Sequence, residues 1–220
     1  MKSTSSKSGC IEGSGNSTTV KRQMASFTKV NILGNYTVTL TQDSSYLVSI
    51  TADDNLMQYI ATNVSNGTLS ISTTDNLCGS DSISITIGVG TLTSLQVAGQ
   101  DTVSGTLTAE TISIQSSGHD TITLSLTATS VNSNISGQST FNLTGSATSH
   151  SINVSGQGTL NALGFPVQSF TTQTSGSGTY QVNVSTTMTL HTTGKSVVKY
   201  EGNPTITNDN KGSSTVTKIS

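Results

Sequence analysis

Two acidic side chains are the best candidates for chemistry in this sequence. Asp101 and Asp120 lie 19 residues apart, each at the third position of a similar pentapeptide, GQDTV and GHDTI. If these pentapeptides occupy neighbouring turns of a repeating fold, the two carboxylates stack close to each other. Such a pair could act on a glycosidic bond, which needs carboxyl groups about 5 to 9.5 Å apart. It could also contribute to a Ca²⁺ site, which needs roughly six to eight oxygens.

The same position in the later pentapeptides weakens both interpretations. It holds only serine or glycine, at Ser139, Gly158, Gly178, Ser196 and Ser214. Because these residue types favour turns, we expect a structural column. Within it, Asp101 and Asp120 are a weak candidate pair for metal binding or catalysis.

The other chemistry-bearing residues form no recognisable site. His119, His150 and His191 fall at three different positions of the repeat, so we expect surface residues and not a stacked metal cluster. The only arginine, Arg22, precedes the repeats. The repeats therefore contain no guanidinium group that could serve a lyase mechanism. The glycines in GSG at 176–178 resemble a phosphate loop, but no helix follows them. The sequence therefore predicts no catalytic residue and no cofactor.

The two cysteines leave two interpretations open. Cys10 and Cys78 match no zinc or redox spacing. They form either a disulfide or two unrelated thiols, with Cys10 as a lipid attachment site. Residues 7–10 (KSGC) contain the small residues that precede a lipoprotein cysteine, but no apolar segment comes before them. We therefore expect that the sequence as given lacks its export signal.

An internal repeat organises the second half of the chain. Seven glycines spaced 18 to 20 residues apart each begin a pentapeptide whose fifth residue is apolar. They are Gly99, Gly118, Gly137, Gly156, Gly176, Gly194 and Gly212. Apolar and polar residues alternate on both sides of each glycine, which predicts strand, glycine corner, strand. One such unit cannot bury its apolar face alone. The sequence therefore predicts an all-β, single-stranded parallel β-helix with rungs of about 19 residues.

The repeat also sets the predicted domain limits. We predict a flexible tether at residues 1–25 and one β-helix domain at residues 26–220. Within this domain, we predict irregular rungs at 26–92 and regular repeats at 93–216. The irregular part contains one helix candidate, 53–60, capped by Asp53 or Asp54. It also contains a tight turn at Asn66-Gly67 and a polar loop at 73–82. No strict six-residue recurrence is present, so a right-handed or irregular helix is favoured over a left-handed one.

Composition excludes several classes of protein. Charged residues make up 9% of the chain and the formal net charge is -2, so nothing attracts it to nucleic acid. Tryptophan is absent, which removes stacking platforms for single strands. No run of about 18 apolar residues predicts a transmembrane helix. A surface of hydroxyls and amides suits an exported protein.

Several segments resemble the bacterial head GIN domain family of adhesins. They are 10–16 (CIEGSGN), 27–30 (FTKV), 51–56 (TADDNL), 66–69 (NGTL) and the Gly-Ser-Gly-like repeats. The resemblance spans about residues 13–216. It implies a β-helix similar to pectin lyases in shape, in the periplasm, on the outer membrane or at the cell surface of Gram-negative bacteria, often as a lipoprotein. It implies no demonstrated chemistry.

Three functions follow as hypotheses. The leading one is a non-enzymatic module whose outward polar face contacts a glycan or a protein. The second is a carbohydrate-active enzyme of pectin-lyase-like shape that uses Asp101 and Asp120. The third is an envelope scaffold that self-associates through the exposed strands of its terminal rungs.

Overall fold

The computed structural model describes residues 9–78 and 83–219, and every structural statement below concerns these residues. The strands in chain order are β1 Ser17–Gln23, β2 Lys29–Gly34, β3 Thr37–Gln42, β4 Leu47–Asp53, β5 Ile60–Ser65, β6 Thr68–Thr73, β7 Ser84–Val89, β8 Ser94–Gly99, β9 Thr102–Ser116, β10 Thr121–Ile135, β11 Gln138–Val154, β12 Gln157–Thr174, β13 Ser177–Thr192, β14 Lys195–Glu201, β15 Thr205–Asn210 and β16 Ser213–Lys218.

The strands from β9 onward form a parallel solenoid. Ile122 pairs with Val103 on one side and with Phe141 on the other, so each residue stacks on its equivalent 19 positions away. Where the glycine spacing drifts, bulges between β11 and β12 and between β12 and β13 absorb the difference. The predicted parallel β-helix with rungs of about 19 residues is confirmed.

The corner glycines are required because neighbouring rungs approach closely there. A Cβ at Gly137 would lie 2.1 Å from the carbonyl oxygen of Gly118 on the previous rung. Any side chain would collide with that backbone, whereas glycine fits. Close approach, and not a left-handed backbone, explains most of the glycine column, since only Gly99 in it has a positive φ, of 148°.

The core consists of stacked apolar columns. The fifth residues of the pentapeptides form one column, whose buried members are Val103, Ile122, Phe141, Leu160, Tyr180 and Val198. Full burial of a side chain of this size stabilises the folded state by about 1.5 to 3 kcal/mol. Since each rung covers the next, the stack is stabilised cooperatively.

The N-terminal region differs from the predicted tether. Residues 17–23 form β1, which pairs antiparallel with β4 along its whole length. The Arg22 guanidinium donates a 2.7 Å hydrogen bond to the Ile60 carbonyl. The predicted tether is therefore wrong for this strand, because its alternating residues pair with β4. Residues 1–8 of the tether lie outside the described residues.

The irregular rungs contain two of the expected local features. Asn66 and Gly67, with φ of 50° and 71°, form the predicted tight turn between β5 and β6. The helix candidate is reduced to one 3₁₀ turn, Met57–Tyr59, with no side-chain cap. The predicted cap is wrong because the Asp53 carboxylate instead accepts the backbone N–H of Gly15. Residues 79–82 of the predicted polar loop lie outside the described residues.

The β15 part of the C-terminal rung is largely polar inside, because Asn208 follows Leu190 and Asn210 follows Thr192 in the inward columns. Ile206, 36% exposed, continues the apolar column of Met188, and the partly buried Val216 of β16 continues that of Val198. A polar last rung is typical of repeats that end a solenoid. No helix in the described part of the chain is long and apolar enough to cross a membrane.

Candidate functional site

The predicted acidic pair stacks on adjacent rungs, but it faces the interior. Asp101 and Asp120 are 1% and 2% exposed. The backbone N–H of Asp101 donates to Oδ1 of Asp120 at 3.1 Å. Oδ2 of Asp120 accepts the Ser116 hydroxyl at 2.5 Å and the Gly118 N–H at 3.2 Å. Three donors thus satisfy the buried Asp120 carboxylate.

Asp101 is less completely satisfied. Its Oδ1 accepts the backbone N–H of Tyr36 at 2.8 Å, but its Oδ2 has no hydrogen-bond partner among the described residues. Burial, together with the charge of Asp120, raises the pKa of Asp101 to about 7, against the opposing effect of the Tyr36 N–H. Burial and the nearby Asp101 raise the pKa of Tyr36 to about 12.

This geometry removes the pair from contact with a bound polymer. Both carboxyl groups lie under the corner backbone, so a sugar on the outside cannot reach them. Within the described residues, no three acidic, histidine or cysteine side chains lie close enough to hold a metal ion. The burial of both carboxyl groups argues against the enzyme hypothesis based on Asp101 and Asp120.

The acidic pair begins a polar seam inside the corner. Ser139 hydrogen-bonds the Ser116 hydroxyl at 2.5 Å and accepts the backbone N–H of Asp120 at 3.2 Å. Further along, Thr174 contacts the Tyr180 hydroxyl at 2.6 Å. The expectation of a structural column at this position agrees with these contacts.

The expectation that all three histidines lie on the surface is wrong for His150. It is 2% exposed and replaces an apolar residue in the column of Val131 and Phe170. Its Nε2 lies 3.0 Å from the Ser133 hydroxyl, and Phe170 contacts it edge-on. Burial lowers the pKa of His150 to about 4. His119 is exposed, and Nδ1 of His191 lies 3.5 Å from Asp209.

The cysteines form a disulfide. Cys10 and Cys78 are joined with a Cα–Cα distance of 5.3 Å. Ile11 forms a parallel bridge to Leu77 beside it. Lipidation of Cys10 would use the same sulfur atom, so the two alternatives exclude each other.

The surface feature best suited to binding is a long groove beside the glycine corners. We call it the amide groove, because one column of outward carboxamides lines it. The column consists of Asn31, Gln96, Gln115, Asn134, Asn153 and Gln173, which stack in register and are followed by His191. Corner hydroxyls line the other side, at Ser117, Ser136, Ser155, Ser175 and Thr193.

The groove is continuous over these rungs. One section has a volume of about 480 Å³ and another of about 310 Å³, and the two share Asn134 and Ser136. Within the column, Asn153 donates to Asn134 at 3.0 Å and Gln96 donates to Gln115 at 3.2 Å. A carboxamide has two N–H donors and an acceptor oxygen. The ladder therefore leaves part of its hydrogen-bonding capacity free for a ligand.

A second groove runs along the face that follows the corners. We call it the hydroxyl groove. Its lining includes Thr39, Thr41, Ser104, Thr106, Thr123, Ser125 and Thr144, with Asn142 and Asn161 on later rungs. Asn161 donates to Asn142 at 2.8 Å, and Asn142 donates to Thr123 at 3.2 Å. The outer surface thus carries two polar ladders on different faces.

Neither groove is lined by a phenylalanine or a tyrosine. The phenylalanines Phe27, Phe141, Phe165 and Phe170 are buried, as are Tyr36 and Tyr180. The remaining tyrosines, Tyr46, Tyr59 and Tyr200, are half-buried and line neither groove. Apart from His191 at the end of the amide groove, these surfaces therefore offer a ligand hydrogen bonds and not ring stacking.

Sequence reasoning identified the outward polar columns but not the amide groove itself. The signal was present, since an Asn or Gln stands three residues before most of the repeat glycines, as at Gln115 and Asn134. Whether such residues line a concave or a flat surface depends on how the corner bends, which the pattern does not specify.

The fold defines the class of protein as a parallel β-solenoid with polar outer columns. The family model described as "Putative auto-transporter adhesin, head GIN domain" matches residues 26–204. The chain therefore belongs to the head GIN domain family, as the sequence resemblance indicated. No curated protein matches it in sequence.

Solved structures share the fold. A "putative adhesin" from Bacteroides fragilis is 24% identical with a TM-score of 0.87, covering 95% of this chain and 100% of that one. A "putative adhesin" from Parabacteroides distasonis is 17% identical with a TM-score of 0.71, covering 95% and 99%. A "putative lipid binding protein" from the same organism is 18% identical with a TM-score of 0.72, covering 96% and 99%.

Proposed function

We propose that this protein is an exported, non-enzymatic attachment module that binds a surface-borne polymer in the amide groove. The observation that carries the proposal is the register of the carboxamide column. Residues such as Asn134, Asn153 and Gln173 repeat on successive rungs with hydrogen-bonding capacity to spare. A row of equivalent polar groups gains affinity from many weak contacts in parallel.

Three features support an extracellular location. The Cys10–Cys78 disulfide is of a kind that persists mainly in oxidising compartments. The family name and the structural neighbours described as adhesins point the same way. The surface of uncharged hydroxyls and amides is consistent with this location.

The alternative functions have less support. The carboxylates that would serve a glycosidase are buried. Lipid binding, the description of one structural neighbour, requires an apolar surface, but the exposed large apolar residues among those described are only Leu33 and Ile206. Self-association through the C-terminal edge would gain little from apolar stacking along β15, because two of its inward positions hold Asn208 and Asn210.

The proposal is tested by attachment of beads coated with the full chain. The surfaces are purified mucin, collagen, fibronectin and immobilised polysaccharides. The double variant Asn153→Ala/Gln173→Ala removes two carboxamides from the amide groove. Its matched control, Asn142→Ala/Asn161→Ala, removes two from the hydroxyl groove. Both pairs are outward residues of β11 and β12.

We expect wild-type and control beads to be retained on at least one surface under flow. The amide-groove variant should lose retention at least tenfold, with an unchanged thermal unfolding midpoint. Absence of retention on every surface overturns the proposal. Equal retention of both variants, or selective loss in the control, contradicts the assignment of the amide groove.

A further inference from the structure

We infer that the amide groove binds a neutral, linear glycan that lies along the solenoid axis. This inference rests on the proposed function and specifies its ligand. The charge of the surface, the chemistry of the column and the length of the groove support it independently.

The first argument is charge. The sequence has no lysine or arginine between Lys29 and Lys195. From residue 93 to 194 it has three acidic residues, of which Asp101 and Asp120 are buried, so that only Glu110 is an exposed charge. Sulfated, phosphorylated or uronate-rich polymers are held by clusters of cationic side chains. Residues 30–194, which form most of the amide groove, contain no lysine or arginine, so the matching ligand is uncharged.

The second argument is the match of hydrogen-bonding groups. Each sugar hydroxyl both donates and accepts, and a carboxamide provides the complementary pair on one planar group. Gln173 makes no side-chain hydrogen bond within the described ranges, and Asn153 uses only one of its N–H groups. The corner hydroxyls Ser136, Ser155 and Ser175 face the same groove. A polyol can therefore be contacted from both sides at every rung.

The third argument is repetition. Six carboxamides from Asn31 to Gln173 stack in one column. At about 4.8 Å per rung they span roughly 24 Å. A regular polymer can make equivalent contacts with each rung. An extended peptide repeats its side-chain direction every ~6.7 Å, which does not match this spacing, so we favour a glycan.

The test is direct binding of soluble probes to the immobilised full chain. The neutral probes are linear β-glucan, mannan and xylan, with an oligosaccharide series of increasing length from each. The charged probes are polygalacturonate and heparin, and the peptide probe is gelatin. The Asn153→Ala/Gln173→Ala variant and its Asn142→Ala/Asn161→Ala control are measured in parallel, each with a thermal unfolding check.

We expect at least one neutral glycan to bind, with affinity that rises with chain length and levels off once the groove is spanned. The amide-groove variant should bind it about tenfold more weakly, the equivalent of about two lost neutral hydrogen bonds. The control should be unchanged. Binding should persist at high salt, because it does not depend on charge.

Other outcomes separate this inference from the proposed function. Preferential binding of heparin, polygalacturonate or gelatin overturns the neutral-glycan assignment. If beads still attach through the amide groove but no neutral glycan binds or competes, the ligand class is wrong while the attachment function stands. If Asn153→Ala/Gln173→Ala attaches to surfaces and binds glycans as well as wild type does, both proposals fail.

Discussion

Tyr36 donates its backbone N–H to Oδ1 of Asp101 across 2.8 Å, although 65 residues separate the two in the chain. The bond joins the irregular N-terminal rungs to the first regular repeat. It also holds Asp101 in a buried position where its Oδ2 has no hydrogen-bond partner in the described part of the chain. The stacked acidic pair is thus a structural junction, and its titration should affect stability.

The stability of the fold should depend on the protonation of Asp101. Because the folded pKa is raised from 3.8 to about 7, the folded state holds a proton that the unfolded state has released. The resulting stabilisation is full below about pH 4 and is lost as the pH rises through 7. The loss should be on the order of 2 kcal/mol, after allowing for solvent screening.

The measurement is the urea unfolding midpoint from pH 4 to pH 8 for wild type and Asp101→Asn. We expect the free energy difference between them to change over this range in favour of wild type at the acidic end. A difference that stays constant with pH would show that Asp101 does not titrate as described.

His150 should contribute the opposite dependence. Burial lowers its folded pKa from 6.5 to about 4, so the neutral form is favoured in the folded state. Its contribution is present above about pH 6.5 and is lost as the pH falls through 4. The double variant His150→Phe/Ser133→Ala removes the imidazole together with its hydroxyl partner.

The double variant should therefore resist acid better than wild type between pH 6.5 and pH 4. Asp101 and His150 act in opposite directions over this range, so their contributions partly cancel in wild type, and each is seen more clearly in the variant that lacks the other. Identical acid profiles for wild type and the double variant would contradict the assignment to His150.

A side chain at a corner glycine should be strongly destabilising. In Gly137→Ala, the added Cβ would lie 2.1 Å from the Gly118 carbonyl oxygen. We expect a loss of about 3 kcal/mol or more in the free energy of unfolding. Gly164→Ala is the matched control, because its Cβ would meet the Thr144 methyl group at an ordinary 3.5 Å.

Denaturant unfolding of the two variants distinguishes close approach from a general cost of replacing glycine. Gly164→Ala should change the midpoint little, and its reduced unfolded-state entropy should favour a slight gain. Equal destabilisation by both variants would rule out the rung contact as the cause.

The disulfide should anchor the N-terminal strand. Cys10 and Cys78 are 68 residues apart in sequence, so their link restricts the unfolded chain and stabilises the fold by up to about 4 kcal/mol. The Cys10→Ser/Cys78→Ser variant should unfold at lower urea concentration. Reduction should have the same effect on wild type and none on the variant. Stability unaffected by both treatments would contradict this role.

Much of the fold could be predicted from the sequence because the repeat is regular. The 19-residue spacing and the alternation around residues such as Ile122 specify strands that stack in register. The burial of His150 was missed although the sequence carried its signal. His150 lies 19 residues after the apolar Val131, and the alternation continues to the inward Ile152.

The candidate site was harder to predict than the fold. Asp101 and Asp120 are candidates from the sequence because carboxylates can act in catalysis or bind a metal ion. The alternation of residues alone, however, could place them on either side of a corner. Their direction follows from the turn at the glycine column, where the backbone bends around them and supplies the donors. The amide column shows the reverse case, since residues such as Asn153 look ordinary until the bend makes a groove beside them.

The sequence by itself determined the parallel solenoid, its rung length and the low charge of its surface, because these depend on the local period and composition. Only the tertiary structure decided that the acidic pair is buried, that β1 pairs with β4 and that the carboxamides line a groove. These features depend on contacts between residues far apart in the chain, and on the curvature of each rung, which no local pattern encodes.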